Sequence, residues 1–135
     1  MGYKIDEIEG IGPAYAEKLA AVSISTTGDL LKQCCDARGR KAMAEKTGVS
    51  ESQLLKWANM ADLMRISGVG SEYSELLEAA GVDTVKELRH RNAANLAAKL
   101  AEVNATKKLT RTVPSEKVVS KWIEEAGALD PLITH

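Results

Sequence analysis

Two short glycine motifs carry the most suggestive chemistry in the sequence. Each has the order Gly-apolar-Gly and stands directly before a predicted helix, at residues 10–12 and 68–70. Glycine lets the backbone turn sharply and lets another backbone approach closely. The unpaired N–H groups at a helix start, together with the positive end of the helix dipole, attract phosphate. Both turns are therefore candidate phosphate sites, formed by Gly10, Ile11, Gly12 and Ala14 in the first and by Gly68, Val69 and Gly70 in the second. The alternative is that both turns only shape the packing of the helices.

Basic residues occur in three groups that can supply positive charge beside these turns. The groups are Arg38, Arg40 and Lys41, then Arg89 and Arg91, then Lys107, Lys108 and Arg111. If several of them converge near the turns, they provide about 3 to 5 phosphate contacts and weak, salt-sensitive binding without sequence preference. The alternative is that they lie on solvated helix faces. We add Lys107, Lys108 and Arg111 to the candidate nucleic-acid site.

The remaining reactive side chains do not indicate catalysis. Cys34 and Cys35 are adjacent, and neighbours in a helix point about 100° apart, so these thiols cannot easily pair. His90 and His135 lie far from them in the sequence, which does not favour a metal site. Asp29 lies close to a predicted helix start and is explained as a capping residue. No nucleophile with an adjacent base is recognisable, so we expect a protein that is not an enzyme and has no cofactor.

The elements that position these residues form an internal repeat. Residues 8–30 match residues 66–88 at an offset of 58, including both glycine pairs and the tyrosines Tyr15 and Tyr73. Residues 50–57 match residues 115–122 at an offset of 65, so seven residues have entered the second copy. The polar stretch 104–112 is predicted to be this inserted loop. We predict a first repeat at 1–61 and a second at 62–135.

Local sequence chemistry predicts helices throughout. Pro13 suits the first turn of a helix, Ser50 begins a capping pattern, and apolar positions from Ser50 to Ile66 recur with helical spacing. No window alternates with a two-residue period, so we predict an all-α fold packed as one compact domain with a shared core. Trp57 and Trp122 are predicted core residues. The two tyrosines are predicted to pack against the opposite hairpin.

The two Gly-x-Gly turns between helices resemble the helix-hairpin-helix motif. In that family, tandem hairpins pack about a pseudo-two-fold axis and grip the phosphates of double-stranded DNA without reading bases. The chain as a whole is similar to an uncharacterised bacterial family of tandem hairpins, a resemblance that implies a fold but no firm activity. DNA-binding hairpins often have a basic or small polar residue two positions after the second glycine, where this sequence has Ala14 and Glu72. A carboxylate there costs about 1 kcal/mol of Coulomb energy beside a phosphate, and Asp6, Glu7 and Glu9 make the first hairpin acidic as well.

The composition is that of an ordinary folded protein, with 44% hydrophobic and 27% charged residues. A formal net charge of -1 gives no overall attraction to a polyanion, so nucleic-acid affinity requires a local patch. No membrane span or signal peptide is recognisable, and we expect a cytoplasmic location. Two hypotheses remain: a sequence-independent binder of duplex DNA or structured RNA, and a protein-interaction or scaffolding module.

Overall fold

The computed structural model describes residues 2–135 and confirms the all-α prediction for that range. Helices follow one another with no strand between them, apart from a single bridge pair between Lys4 and Thr26. After a short 3-10 helix at Ile5–Glu7, the α-helices in this range are α1 (Pro13–Ala20), α2 (Thr27–Cys34), α3 (Ala37–Thr47), α4 (Glu51–Leu63), α5 (Ser71–Ala79), α6 (Val85–Leu88), α7 (Ala93–Lys107) and α8 (Glu116–Ala128).

Local capping chemistry sets the helix starts. Pro13 begins α1, and the Ser50 hydroxyl accepts the Gln53 N–H at 3.2 Å ahead of α4. Asp29 accepts the N–H groups of Ser25 and Thr26 at 3.0 and 3.1 Å, which confirms its capping role. The hydrogen bond from the Ser25 backbone is the main reason that the pKa of Asp29 is lowered. Helix α4 ends at Leu63, three residues before the end predicted from its apolar pattern.

The buried apolar side chains form two clusters rather than the predicted shared core. One cluster comes from residues up to Met64 together with Ile133, and the other runs from Leu63 to Ala126. Trp57 and Trp122 are buried in the first and the second cluster respectively, as predicted. The separation arises because α4 packs on α2 and α3, whereas α8 packs on α6 and α7. Each half therefore buries its own apolar surface.

Two features join the halves. The Asp62 carboxylate at the end of α4 is fully buried, and it binds the Arg65 guanidinium at 2.8 Å and the Val85 N–H at 2.9 Å. Residues 129–135 return to the first half, where Ile133 is buried in the first cluster. There the Thr134 carbonyl accepts a hydrogen bond of 2.7 Å from the buried Arg40 guanidinium. These contacts fix the second half relative to the first.

The inserted residues only partly form the predicted loop. Helix α7 continues to Lys107, so the predicted loop at 104–112 starts inside a helix. Asn104 is buried there, and the helix ends only when Lys108 adopts a left-handed conformation with φ of 53°. The prediction was wrong at its start because the mostly polar residues 104–107 are typical of a loop, yet they form the last turn of a helix. The loop proper is residues 108–114.

Candidate nucleic-acid interface

The first glycine of each turn is required by the backbone. Gly10 has φ of 95° and Gly68 has φ of 87°, a region that other residues rarely adopt. A side chain at Gly10 would begin 3.5 Å from the indole nitrogen of Trp57, and one at Gly68 would begin 3.8 Å from that of Trp122. These glycines therefore form the turn over a tryptophan ring.

The second glycine of each turn is not required by the backbone. Gly12 and Gly70 are the N-cap residues of α1 and α5, with φ of -88° and -101°. A Cβ atom at either position would have no other atom within 4 Å. Neither helix start receives a hydrogen bond from a capping side chain. The first-turn amides are thus open to a ligand, although Pro13 removes one of them in the first hairpin.

The apolar residue of each turn is directed inward. Ile11 and Val69 are 4% and 0% exposed. Their N–H groups donate to the carbonyls of Ile8 and Ile66, each at 3.1 Å. Of the predicted site residues, these two hold the turn in place, and the glycines and Ala14 remain at its surface.

Arg111 lies beside the second hairpin. It lines a cleft of about 410 Å3 whose other walls are Tyr3, Glu7, Gly70, Ser71, Glu72, Tyr73, Thr110 and Thr112. Two predicted site residues that are 41 positions apart, Gly70 and Arg111, are therefore brought together by the fold. Arg111 lies in the stretch where the offset between matching segments grows by seven residues, so the extra loop supplies this basic side chain.

Hydrogen bonds hold the loop against the hairpin. The buried Asn104 amide donates to the Thr110 carbonyl at 3.0 Å and accepts the Thr110 N–H at 2.9 Å. The Tyr73 hydroxyl donates to the Thr112 carbonyl at 3.2 Å. The backbone on either side of Arg111 is thereby tied to α7 and α5. This arrangement reduces the ordering that a ligand would otherwise require.

The loop belongs to a basic stretch of the sequence that the predicted site covers only in part. We define the basic segment as Lys107, Lys108, Arg111, Lys117 and Lys121, all of them exposed. Residues 99–122 contain six Lys or Arg against two Asp or Glu, a formal charge of +4, and the rest of the chain carries -5. Within residues 2–135 the ion pairs are Arg65–Asp62 and Arg91–Glu87, so no member of the basic segment is neutralised by one. The one-turn spacing of Lys117 and Lys121 on α8 was the missed signal.

Other basic residues named from the sequence have structural roles. The Arg40 guanidinium is 4% exposed and donates to the Cys34 carbonyl at 3.0 Å as well as to Thr134. Arg91 binds the Glu87 carboxylate at 2.9 Å and the Gly81 carbonyl at 3.0 Å. These two guanidinium groups are therefore already occupied within the protein.

The surroundings of the first hairpin are acidic. A second cleft beside it is lined by Asp6, Glu7, Ile8, Glu9, Gly10, Ile11, Gly12 and Ser71. No Lys or Arg lines this cleft, and Ser71 shows that the second hairpin is adjacent. Burial raises the pKa of Glu75, and the nearby Glu9 carboxylate raises it further. The two turns thus have similar backbones, but only the second has a basic side chain, Arg111, in its cleft, where Glu7 and Glu72 also lie.

The two tyrosines do not pack on the opposite hairpin, so that prediction is wrong. Tyr15 contacts Trp57 with ring centroids 5.1 Å apart, and Tyr73 contacts Trp122 at 5.2 Å. Each tyrosine packs within its own half because the first glycine leaves the tryptophan indole directly beneath its own turn. Tyr15 remains 40% exposed.

The candidate reactive residues outside the hairpins form no recognised site. Cys34 is buried, Cys35 is half-buried, and both thiols are free; burial raises the pKa of Cys34 to about 11. His90 and His135, distant in sequence, line the same cleft near Thr134. Among residues 2–135, no three His, Cys, Asp or Glu side chains are grouped to hold a metal ion. Within the same range, no helix has the length and apolar character needed to cross a bilayer.

Comparison with known proteins gives one family and no individual relative. Neither the curated proteins nor the solved structures include a significant match to the chain. The family model described as Domain of unknown function (DUF4332) matches residues 9–129, which cover both Gly-x-Gly turns, the basic segment and all of α8. The chain therefore belongs to the DUF4332 family.

Proposed function

We propose that the chain consists of two helix-hairpin-helix repeats related by a pseudo-two-fold axis. Equivalent residues in the two halves support this arrangement. Helices α4 and α8 have 13 residues each, and both follow a serine cap. The same roles recur in the pairs Gly10 and Gly68, Gly12 and Gly70, Thr26 and Thr84, and Trp57 and Trp122.

We further propose that the chain is a non-catalytic module that binds nucleic-acid phosphates without sequence preference. The observation that carries the proposal is the juxtaposition of Arg111 with the uncapped start of α5 at Gly70. The amides and helix dipole supply hydrogen bonds and partial positive charge, and the guanidinium supplies a full charge and a forked donor. The other members of the basic segment are exposed lysines that add positive charge to the same stretch of the chain. The proposed partners of the chain are duplex DNA or structured RNA.

The two hairpins are unequal in this proposal. The first is surrounded by Asp6, Glu7 and Glu9, which repel a phosphate, and it has one amide fewer because of Pro13. The second has Glu7 and Glu72 as opposing charges, but it also has Arg111 in its cleft. We therefore assign phosphate contact to the second hairpin.

A matched pair of variants tests the proposal. Gly12→Glu and Gly70→Glu add the same charge at equivalent turns, and both positions have room for a side chain. Fluorescence anisotropy with a labelled duplex, a single strand and a structured RNA is measured at two salt concentrations. We expect Gly70→Glu to weaken binding about tenfold or more and Gly12→Glu to change it less than about twofold. Equal losses, or no binding by the folded wild type at low salt, would overturn the assignment.

The alternative is a protein-interaction module, and one observation favours it. The acidic cleft of the first hairpin lies at the start of α1, and Tyr15 in the first turn of that helix is an exposed aromatic side chain of the kind enriched at protein interfaces. Such a surface suits a basic protein segment. Absence of any nucleic-acid binding, together with salt-sensitive binding of an Arg-rich peptide that Glu9→Gln weakens, would support this function instead.

A further inference from the structure

The cleft at the second hairpin contains groups that a phosphate alone does not use. Glu72 lines it, is exposed, and has no hydrogen bond or ion pair within residues 2–135. One oxygen of the neighbouring Glu7 already accepts the Lys4 N–H at 2.9 Å. An ionised carboxylate only accepts hydrogen bonds, so Glu72 selects a ligand that carries donors.

Two aromatic rings in the same cleft are held in place. Tyr73 is fixed by its hydroxyl bond to the Thr112 carbonyl and by its contact with Trp122. The Tyr3 hydroxyl donates to the Val69 carbonyl at 3.5 Å. Both tyrosines are half-buried. Fixed aromatic side chains at the edge of a cleft are suitable platforms for a planar base.

We propose that this cleft binds one unpaired guanine nucleotide of a nucleic-acid strand. Its phosphate faces Arg111 and the amides that begin α5, and the guanine edge faces Glu72. Guanine presents N1–H and the N2 amino group side by side, two donors that match the two oxygens of one carboxylate. Uracil presents a single N–H flanked by carbonyls, which a carboxylate repels. The volume of about 410 Å3 lies in the range of roughly 300–1,000 Å3 for small-ligand sites.

The guanine site rests on the proposed function, and it limits the nucleic-acid partner to strands that carry an unpaired guanine. In a duplex the guanine donors are already paired with cytosine, so the cleft can read them only in a loop, a bulge or a single strand. The guanine site also accounts for the Glu72 carboxylate in a phosphate-binding cleft. This carboxylate repels a bare phosphate, but it favours a base whose exposed edge donates hydrogen bonds.

The test uses mononucleotides, which report on the cleft without the rest of a strand. The full chain, labelled with 15N, is titrated with 5′-GMP and with 5′-UMP at equal ionic strength. We expect GMP to shift the amide signals of residues 70–73 and 110–112 and to bind about tenfold more tightly than UMP. Glu72→Ala brings the ratio of the two affinities close to one. Arg111→Gln weakens the binding of both nucleotides and preserves the ratio of their affinities. Glu102→Ala on the exposed face of α7 changes neither the affinities nor their ratio.

The outcomes separate this inference from the proposed function. Equal affinity for GMP and UMP, or no shift with either, overturns the guanine site; duplex binding that is sensitive to Gly70→Glu then leaves phosphate recognition intact. A guanine preference that Glu72→Ala does not reduce overturns the role of Glu72. If neither the mononucleotides nor any longer nucleic acid binds, both proposals fail together.

Discussion

Replacing Arg111 by Gln is expected to make nucleic-acid binding less dependent on salt. Each phosphate contact adds about 0.9 to the slope of log affinity against log salt concentration for a duplex. If the basic segment makes about 3 to 5 contacts, wild-type affinity falls by about 40- to 500-fold between 50 and 200 mM salt. Removing the one contact that lies beside Gly70 lowers the slope by about 0.9, which reduces that fall by a factor of about 3.5. Anisotropy titrations of a labelled 20-base-pair duplex at four salt concentrations give the slope directly.

A second variant provides the control for net charge. Arg38 is exposed on α3 in the first half, so Arg38→Gln changes the total charge equally but removes no proposed contact. We expect its slope to equal that of the wild type. The reasoning is refuted if both variants lower the slope by the same amount, because binding would then follow net charge rather than a located contact. It is also refuted if Arg111→Gln leaves the slope unchanged.

Further predictions concern stability, loop order, thiol titration and local charge. Asp62→Ala leaves the Arg65 guanidinium without its ion pair and the Val85 N–H without its acceptor, so the free energy of unfolding in urea should fall by about 3 to 5 kcal/mol. A loss under about 1 kcal/mol would contradict the role of this carboxylate in joining the two halves. Asn104→Ala frees the loop, so trypsin should cleave between residues 107 and 111 faster than in the wild type, and unchanged cleavage would count against the clamp. Because burial raises the pKa of Cys34 to about 11, the folded state favours the protonated thiol; its contribution to stability is complete below about pH 9 and is lost as pH rises from 9 to 11. Cys34→Ala should remove this part of the pH dependence, whereas Cys35→Ala should retain it. Glu72→Ala should raise duplex affinity about fivefold, the equivalent of about 1 kcal/mol, and a decrease would contradict phosphate contact at this turn.

Features fixed by neighbouring residues were predictable from the sequence. The cap at Ser50 and the capping role of Asp29 depend on hydrogen bonds that span only three or four residues, and the start of α1 at Pro13 depends on the fixed backbone angle of proline. The buried positions of Trp57 and Trp122 follow from helical periodicity. The change in offset between the matching segments also predicts extra residues before α8.

Features that depend on distant contacts were not predictable. Nothing local shows that Arg40 is buried under residue 134, or that Tyr15 packs on a tryptophan 42 positions later. The proximity of Arg111 to Gly70 depends on the Asn104 clamp and on the packing of α5 against α7. The polar composition of residues 104–112 predicts a loop, yet residues 104–107 form the last turn of α7, in which Asn104 is buried and residues 105–107 are exposed.

Mapping the NMR shifts of the backbone amides with a duplex tests most directly whether phosphate contact occurs at the second hairpin and the basic segment. The 15N-labelled full chain is titrated with a 20-base-pair DNA at low salt, and the shift of each backbone amide is followed. We expect the largest shifts at residues 70–73 and 107–112 and only small shifts at residues 10–15. Shifts centred on the first hairpin, or no shifts at any duplex concentration, would contradict it.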